Sequence, residues 1–187
     1  MPPGAVKTVR DAIFWQYAKL IAKAAGMGIE SKESRAFQMS TFKKLQSGAM
    51  HWSTTIREYL RERENPDECV YCGAEGKLTV EHLLPKICGG PDTTDNVVMV
   101  CSECNSKKGK KKLYEYFTEK NRDRVPRIAE GKYLKMMYEL NEDLGTLDVG
   151  KKELTEKLCP RCSLKQNCID EGHENKLTVY CIEGLFR

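Results

Sequence analysis

The sequence contains no long hydrophobic run and no excess of charge of one sign, and each shortage narrows what it can be. Near the start, Ala12-Ile13-Phe14-Trp15 is apolar, but Gln16 and Lys19 interrupt it long before it could cross a bilayer. The chain is therefore expected to carry neither a signal peptide nor a membrane span, and to work in the cytoplasm of a prokaryotic or phage-like system. A net charge of +4 over 187 residues excludes a polycation, so attraction to nucleic acid must come from local clusters of Lys and Arg. Low-complexity sequence is absent apart from one such cluster, Lys107, Lys108, Lys110, Lys111 and Lys112. With 40% hydrophobic residues, the chain can build one compact domain or a small core with added modules, but not two large domains.

What the sequence does have is nine cysteines. In a reducing compartment they stay free for metals instead of pairing as disulfides. Their surroundings divide the chain into three parts. Residues 1–64 read as a helical, moderately basic, DNA-contacting region. An amphipathic helix over 5–25 is ended by Gly26 and Gly28, a short helix is capped by Ser40 or Thr41, and another opens at Ser53-Thr54-Thr55. Asn65-Pro66-Asp67 is turn chemistry and marks a boundary. Within 65–120, Leu78-Thr79-Val80 and Val97-Val98-Met99-Val100 have strand composition, and Cys104 to Phe117 is Lys-rich and helical in composition. Residues 121–187 hold a helical segment over 125–158, broken at Gly145 and Gly150, and a second group of cysteines. The fold class is α+β.

Cys69-x-x-Cys72 and Cys101-x-x-Cys104 are two knuckles, each able to direct two sulfurs at one ion. Four thiolates close a tetrahedral shell and leave no open position, so the metal is structural, with zinc the first choice. Two short strands and one helix bury too little apolar surface to persist unaided, and a metal crosslink supplies what they lack.

Between and after the knuckles stand Glu81-His82-Leu-Leu-Pro85, Gly89-Gly90, Asn96-Val-Val and Cys101-x-x-Cys104-Asn105-x-x-Lys108-Gly109. This run, about a quarter of the chain, resembles the HNH endonuclease family in the two-knuckle version found among restriction enzymes. The resemblance implies a ββα-metal core stapled by the four-cysteine zinc. It makes His82 the general base and Glu81 and Asn105 the ligands of a catalytic divalent ion, Mg²⁺ or Mn²⁺. Asn96 becomes the residue that ties down the loop behind the histidine. The chemistry agrees, since phosphodiester hydrolysis needs a proton acceptor for the attacking water and positive charge near the phosphate. Neutral imidazole accepts a proton near physiological pH. Glu81 stands where the family more often has Asp, and Asn105 where it often has His. In a regular strand, neighbours 81 and 82 point to opposite faces, so both serve one site only if the strand ends or twists there. The lysines from 107 to 112 are placed to grip phosphates beside the cut.

Cys159-x-x-Cys162, Cys168 and Cys181 form a second group of four, with His173 as a spare ligand. The spacing suits a zinc ribbon completed by a strand at Leu177-Thr178-Val179-Tyr180. It also resembles the cysteine pattern that holds a [4Fe-4S] cluster in some nucleases. The resulting expectation is a DNA endonuclease, restriction-type and sequence-specific, acting on double-stranded DNA as a homodimer because one site per chain cuts one strand. Competing expectations are a nicking, homing, phage-type or modification-dependent nuclease, and a zinc-stapled module that binds nucleic acid without cutting it.

Overall fold

The computed structural model describes residues 4–28, 31–52, 65–117, 124–157, 159–162, 164–170, 172–173, 177–184 and 186. The chain divides into two compact units, Met1–Trp52 with Met137–Leu185, and Ser53–Met136 with Phe186–Arg187.

The first unit is built of helices. Helix α1 (Val9–Ala24) begins where Thr8 and Asp11 form a capping box. The Thr8 hydroxyl accepts from the Asp11 N–H at 3.2 Å, and the Asp11 carboxylate accepts from the Thr8 N–H at 3.2 Å. It ends at Gly26, whose φ of 73° lets the Met27 N–H turn back to the Ala22 carbonyl. Ile13, Phe14, Tyr17 and Leu20 are buried, and the Phe14, Tyr17, Trp52 and Tyr138 rings pack together in edge and stacked contacts. Helix α2 (Lys32–Gln46) packs on α1, and Gln46 donates to the Asp11 carboxylate at 2.7 Å.

Ser40 and Thr41 do not cap a helix, contrary to the expectation from sequence. They lie inside α2, which starts earlier because the Ser31 side chain accepts from the Ser34 N–H. The helix expected from Ser53 lies outside the described residues.

In the second unit, β1 (Leu78–His82) pairs antiparallel with β2 (Val97–Cys101), with Leu78 opposite Cys101 and His82 opposite Val97. Helix α3 (Ser102–Lys108) leaves directly from β2 and covers one face of the hairpin. Val98 and Val100 are buried there, while Val80 and Met99, paired across the strands, face solvent. Alternation of one buried and one open face is what a two-stranded antiparallel sheet requires. The Lys-rich segment expected as one helical stretch is broken at Gly109 (φ 53°) and resumes as α4 (Leu113–Tyr116).

Helix α5 (Arg127–Asp143) carries Tyr133 and Leu134 fully buried, and the division between the units falls inside it, at Met137. It stops near Gly145 (φ 65°), where Thr146 donates to the Asn141 side chain at 2.8 Å. Three short helices follow in the first unit, α6 (Lys151–Lys157), α7 (Lys165–Asp170) and α8 (Val179–Gly184). The strand expected at Leu177–Tyr180 is not formed. The Thr178 hydroxyl accepts from the Tyr180 N–H at 3.2 Å and starts α8 instead, a local side-chain bond overriding β-branched propensity. No helix among the described residues is long and apolar enough to cross a membrane.

Candidate active site and cysteine centre

Each strand residue of β1 has a different assignment according to its face. Thr79 and Glu81 lie under α3. The Asn105 amide donates to the Thr79 hydroxyl at 3.0 Å and to the Val80 carbonyl at 3.4 Å, and the Lys108 ammonium donates to Glu81 Oε1 at 2.5 Å. Strand pairing runs regularly through His82, so the ring leaves on the opposite, open face, beside Val80. The structure therefore brings Glu81 and Asn105 to the same side of the hairpin, and does not bring Glu81 together with the His82 ring.

The Glu81 carboxylate and the Lys108 ammonium are both buried, and Lys108 also donates to the His82 carbonyl at 2.7 Å. Next to Val98 and Val100, a lone carboxylate would be strongly disfavoured, and the ammonium neutralises it. Lys108→Met is expected to destabilise the unit by about 3–5 kcal/mol, because it strands a buried charge, whereas Glu81→Leu combined with Lys108→Met recovers most of that loss. Denaturant titration of the single and double variants checks it; a double variant no more stable than the single would remove this account of Glu81.

The loop between the strands is organised by Asn96, which is fully buried. Its Oδ1 accepts from the Leu84 N–H at 2.8 Å, and its Nδ2 donates to the carbonyls of Leu84 at 2.8 Å and Pro91 at 2.9 Å. Gly90 lies so close that a Cβ there would stand 1.9 Å from the Leu84 carbonyl oxygen and 2.8 Å from Asn96 Nδ2. Gly90→Ala is thus expected to cost about 2 kcal/mol or more by forcing this loop apart, seen as a lowered melting temperature.

That loop places Asp92 beside the histidine. His82 Nε2 lies 3.1 Å from Asp92 Oδ1, and the other Asp92 oxygen receives the Lys86 ammonium at 2.8 Å. Lys86 first, and His82 after it, hold the Asp92 carboxyl below the usual carboxylate range. Against an anionic partner Nε2 is the donor, which leaves Nδ1 as the lone-pair acceptor of the ring. His82 is about a quarter exposed, open enough for water to reach it. Asp92 and Lys86 do not stand out in the sequence. The one signal there is an acid in the turn Pro91-Asp92-Thr93, between the histidine and the asparagine that anchors the loop.

Among the lysines expected to hold phosphate, Lys107, Lys110 and Lys111 are exposed, with Lys107 paired to Glu103 one turn back at 2.6 Å. Lys108 and Lys112 are buried, and Lys108 pairs with Glu81, so in this conformation neither presents its ammonium to solvent as the exposed lysines do.

At the far end of the hairpin the sulfurs of Cys69, Cys72, Cys101 and Cys104 all lie within 4.8 Å of one another. The first knuckle is closed by the Gly73 N–H donating to the Cys69 carbonyl at 2.8 Å, with Gly73 at φ 73°. The second is the start of α3 itself. Cys72 and Cys101 sulfurs are 3.8 Å apart, the spacing of about 3.8 Å that tetrahedral thiolates take around zinc. Burial raises the Cys69 thiol, yet backbone N–H groups of Cys101, Cys72 and Tyr71 bring it down to about 7. Burial and the neighbouring sulfurs push Cys104 up. Four thiols this close cannot all ionise without a cation, and the donor set could hold a metal such as zinc.

Residues 69–120 match the family model of HNH endonucleases. This segment is an HNH endonuclease domain. It spans a little over a quarter of the chain, and no curated protein and no solved structure matches the chain. The HNH domain contains both the cysteine centre and the hairpin with its helix, so staple and candidate catalytic groups belong to one segment. HNH nucleases use divalent metals, and Glu81 and Asn105, the ligands expected from the sequence, lie on one side of the hairpin. In this conformation Glu81 does not fit such an ion, because Lys108 already occupies its carboxylate. The C-terminal cysteines lie in the first unit, outside the HNH domain, where they line a pocket of their own.

Proposed function

We propose that the HNH domain hydrolyses phosphodiester bonds of double-stranded DNA, with His82 as the general base, and that the chain is a sequence-specific, restriction-type endonuclease acting as a homodimer. The observation that carries the catalytic part is the His82–Asp92 pair on the open face of the hairpin. The carboxylate holds the ring by Nε2 and leaves Nδ1 to take a proton from an attacking water. Asn96 supports this by fixing the loop that bears Asp92, and exposed Lys107, Lys110 and Lys111 supply positive charge for phosphates on either side of the scissile bond. Mg²⁺ or Mn²⁺ would supply charge neutralisation at the phosphate. For Glu81 to contribute to its binding beside Asn105, Lys108 would first have to withdraw. The homodimer follows from one site per chain and two strands to cut.

One observation favours a second reading, a module that binds DNA without cutting it: the carboxylate expected to face an ion is buried against an ammonium. Plasmid and genomic DNA incubated with the chain and Mg²⁺ or Mn²⁺, beside His82→Ala, separates the two. Cleavage by the native chain alone supports the nuclease. Equal cleavage by both proteins removes His82 as base, and binding by both without any cleavage establishes the second reading.

A further inference from the structure

The C-terminal cysteines are arranged differently from those of the HNH domain. Cys159 begins a short 3₁₀ turn (Cys159–Arg161) and Cys162 follows it, Cys168 lies on α7 and Cys181 on α8, and all four line one pocket of about 370 Å³ together with His173. None of the four is joined in a disulfide. Yet among the described residues, the sulfurs that crowd within 4.8 Å of one another are those of Cys69, Cys72, Cys101 and Cys104, and the C-terminal four form no such group. Thr178 stands between two of them: its hydroxyl lies 3.9 Å from the Cys168 sulfur and 3.7 Å from the Cys181 sulfur, and its N–H donates to Cys181 at 3.4 Å.

The two arrangements suit different centres. A single zinc draws its four thiolates to about 3.8 Å from one another, as Cys72 and Cys101 already are. A cube of four irons and four sulfides instead takes one thiolate at each iron corner, so its ligands must stand well apart around a space that the inorganic core fills. The pocket offers that space, far more than one ion needs. Its wall carries buried Leu154, Leu177 and Tyr180, which exclude water, and Lys151 and Lys165, whose charge opposes that of an anionic cluster. The Thr178 N–H supplies a hydrogen bond to one ligating sulfur, a feature that tunes such clusters.

We propose that Cys159, Cys162, Cys168 and Cys181 bind a [4Fe-4S] cluster, so that the chain is a two-metal protein with zinc in the HNH domain and iron–sulfur in its helical unit. The proposal is independent of whether the HNH domain cuts DNA.

The test is metal and sulfide analysis of the full chain as purified without oxygen. The expected result is a brown protein with about four irons, about four acid-labile sulfides and one zinc per chain. Cys168→Ala is expected to lose the iron and keep the zinc. Two zincs and no iron, or a C-terminal disulfide with no iron, overturns the proposal. Because the native protein's composition decides between these outcomes, the test stands even if Cys168→Ala fails to fold.

Discussion

Stripping the ion from Cys69, Cys72, Cys101 and Cys104 is expected to unfold the HNH domain, the largest single effect foreseen for this protein. The hairpin has two strands of five residues and a helix of seven. Its covered face offers Val98 and Val100, and the following turn Leu83 and Leu84, as fully buried apolar groups. That is a small core for the hairpin and its helix, which must also bury the Glu81–Lys108 pair, and the rest of the unit's core, including Leu113, Tyr114, Tyr133 and Leu134, lies in the helices that follow. Structural zinc supplies an apparent binding free energy of about 10–16 kcal/mol, as much as the whole stability of an ordinary domain, about 5–15 kcal/mol. A chelator titration should release one zinc with a coincident loss of the domain's cooperative melting, more readily as pH falls because protons compete for the thiolates. Cys72→Ser should reproduce the loss. Full melting temperature after complete zinc release is the result that contradicts this.

Replacing His82 by Ala is expected to lower single-turnover DNA cleavage by about 10²–10⁴-fold while leaving DNA affinity nearly unchanged, because a positioned base contributes that much and the proposed phosphate contacts are the exposed lysines. The factor depends on Asp92, which holds Nε2 at 3.1 Å and keeps Nδ1 the accepting nitrogen. Asp92→Asn should therefore cost about ten-fold, with Asp92→Glu recovering part of it, since Lys86 still steers a carboxylate there. A His82→Ala rate within about two-fold of the native rate would sink the assignment.

How legible these sites are in the sequence depends on the range of the interactions. Capping residues and glycines are local: Gly26 and Gly145 end helices where the sequence places the breaks, because a left-handed residue needs no distant partner. The cysteine knuckles are nearly as local, each closing within a tight turn, and the strand order around them follows from composition. Lys108 is hidden because a lysine within a lysine run reads as solvated. Only the approach of α3 to β1 reveals that it neutralises Glu81, 27 positions earlier. Asp92 is hidden because its value lies in a loop path set by Asn96 and Gly90, and a turn acid by itself signals nothing. At Thr178 a single hydroxyl bond outweighs the strand composition around it.

By itself the sequence determined the α+β class, the four-cysteine cluster and the family resemblance, since each is written in spacings of a few residues. The tertiary structure alone decided which side of the hairpin each side chain serves, that Glu81 meets Lys108, that Asp92 meets His82, and that the four C-terminal cysteines line one pocket. The reason is that strand pairing and helix docking set the separations between residues far apart in the chain, and charge neutralisation and metal size depend on those separations.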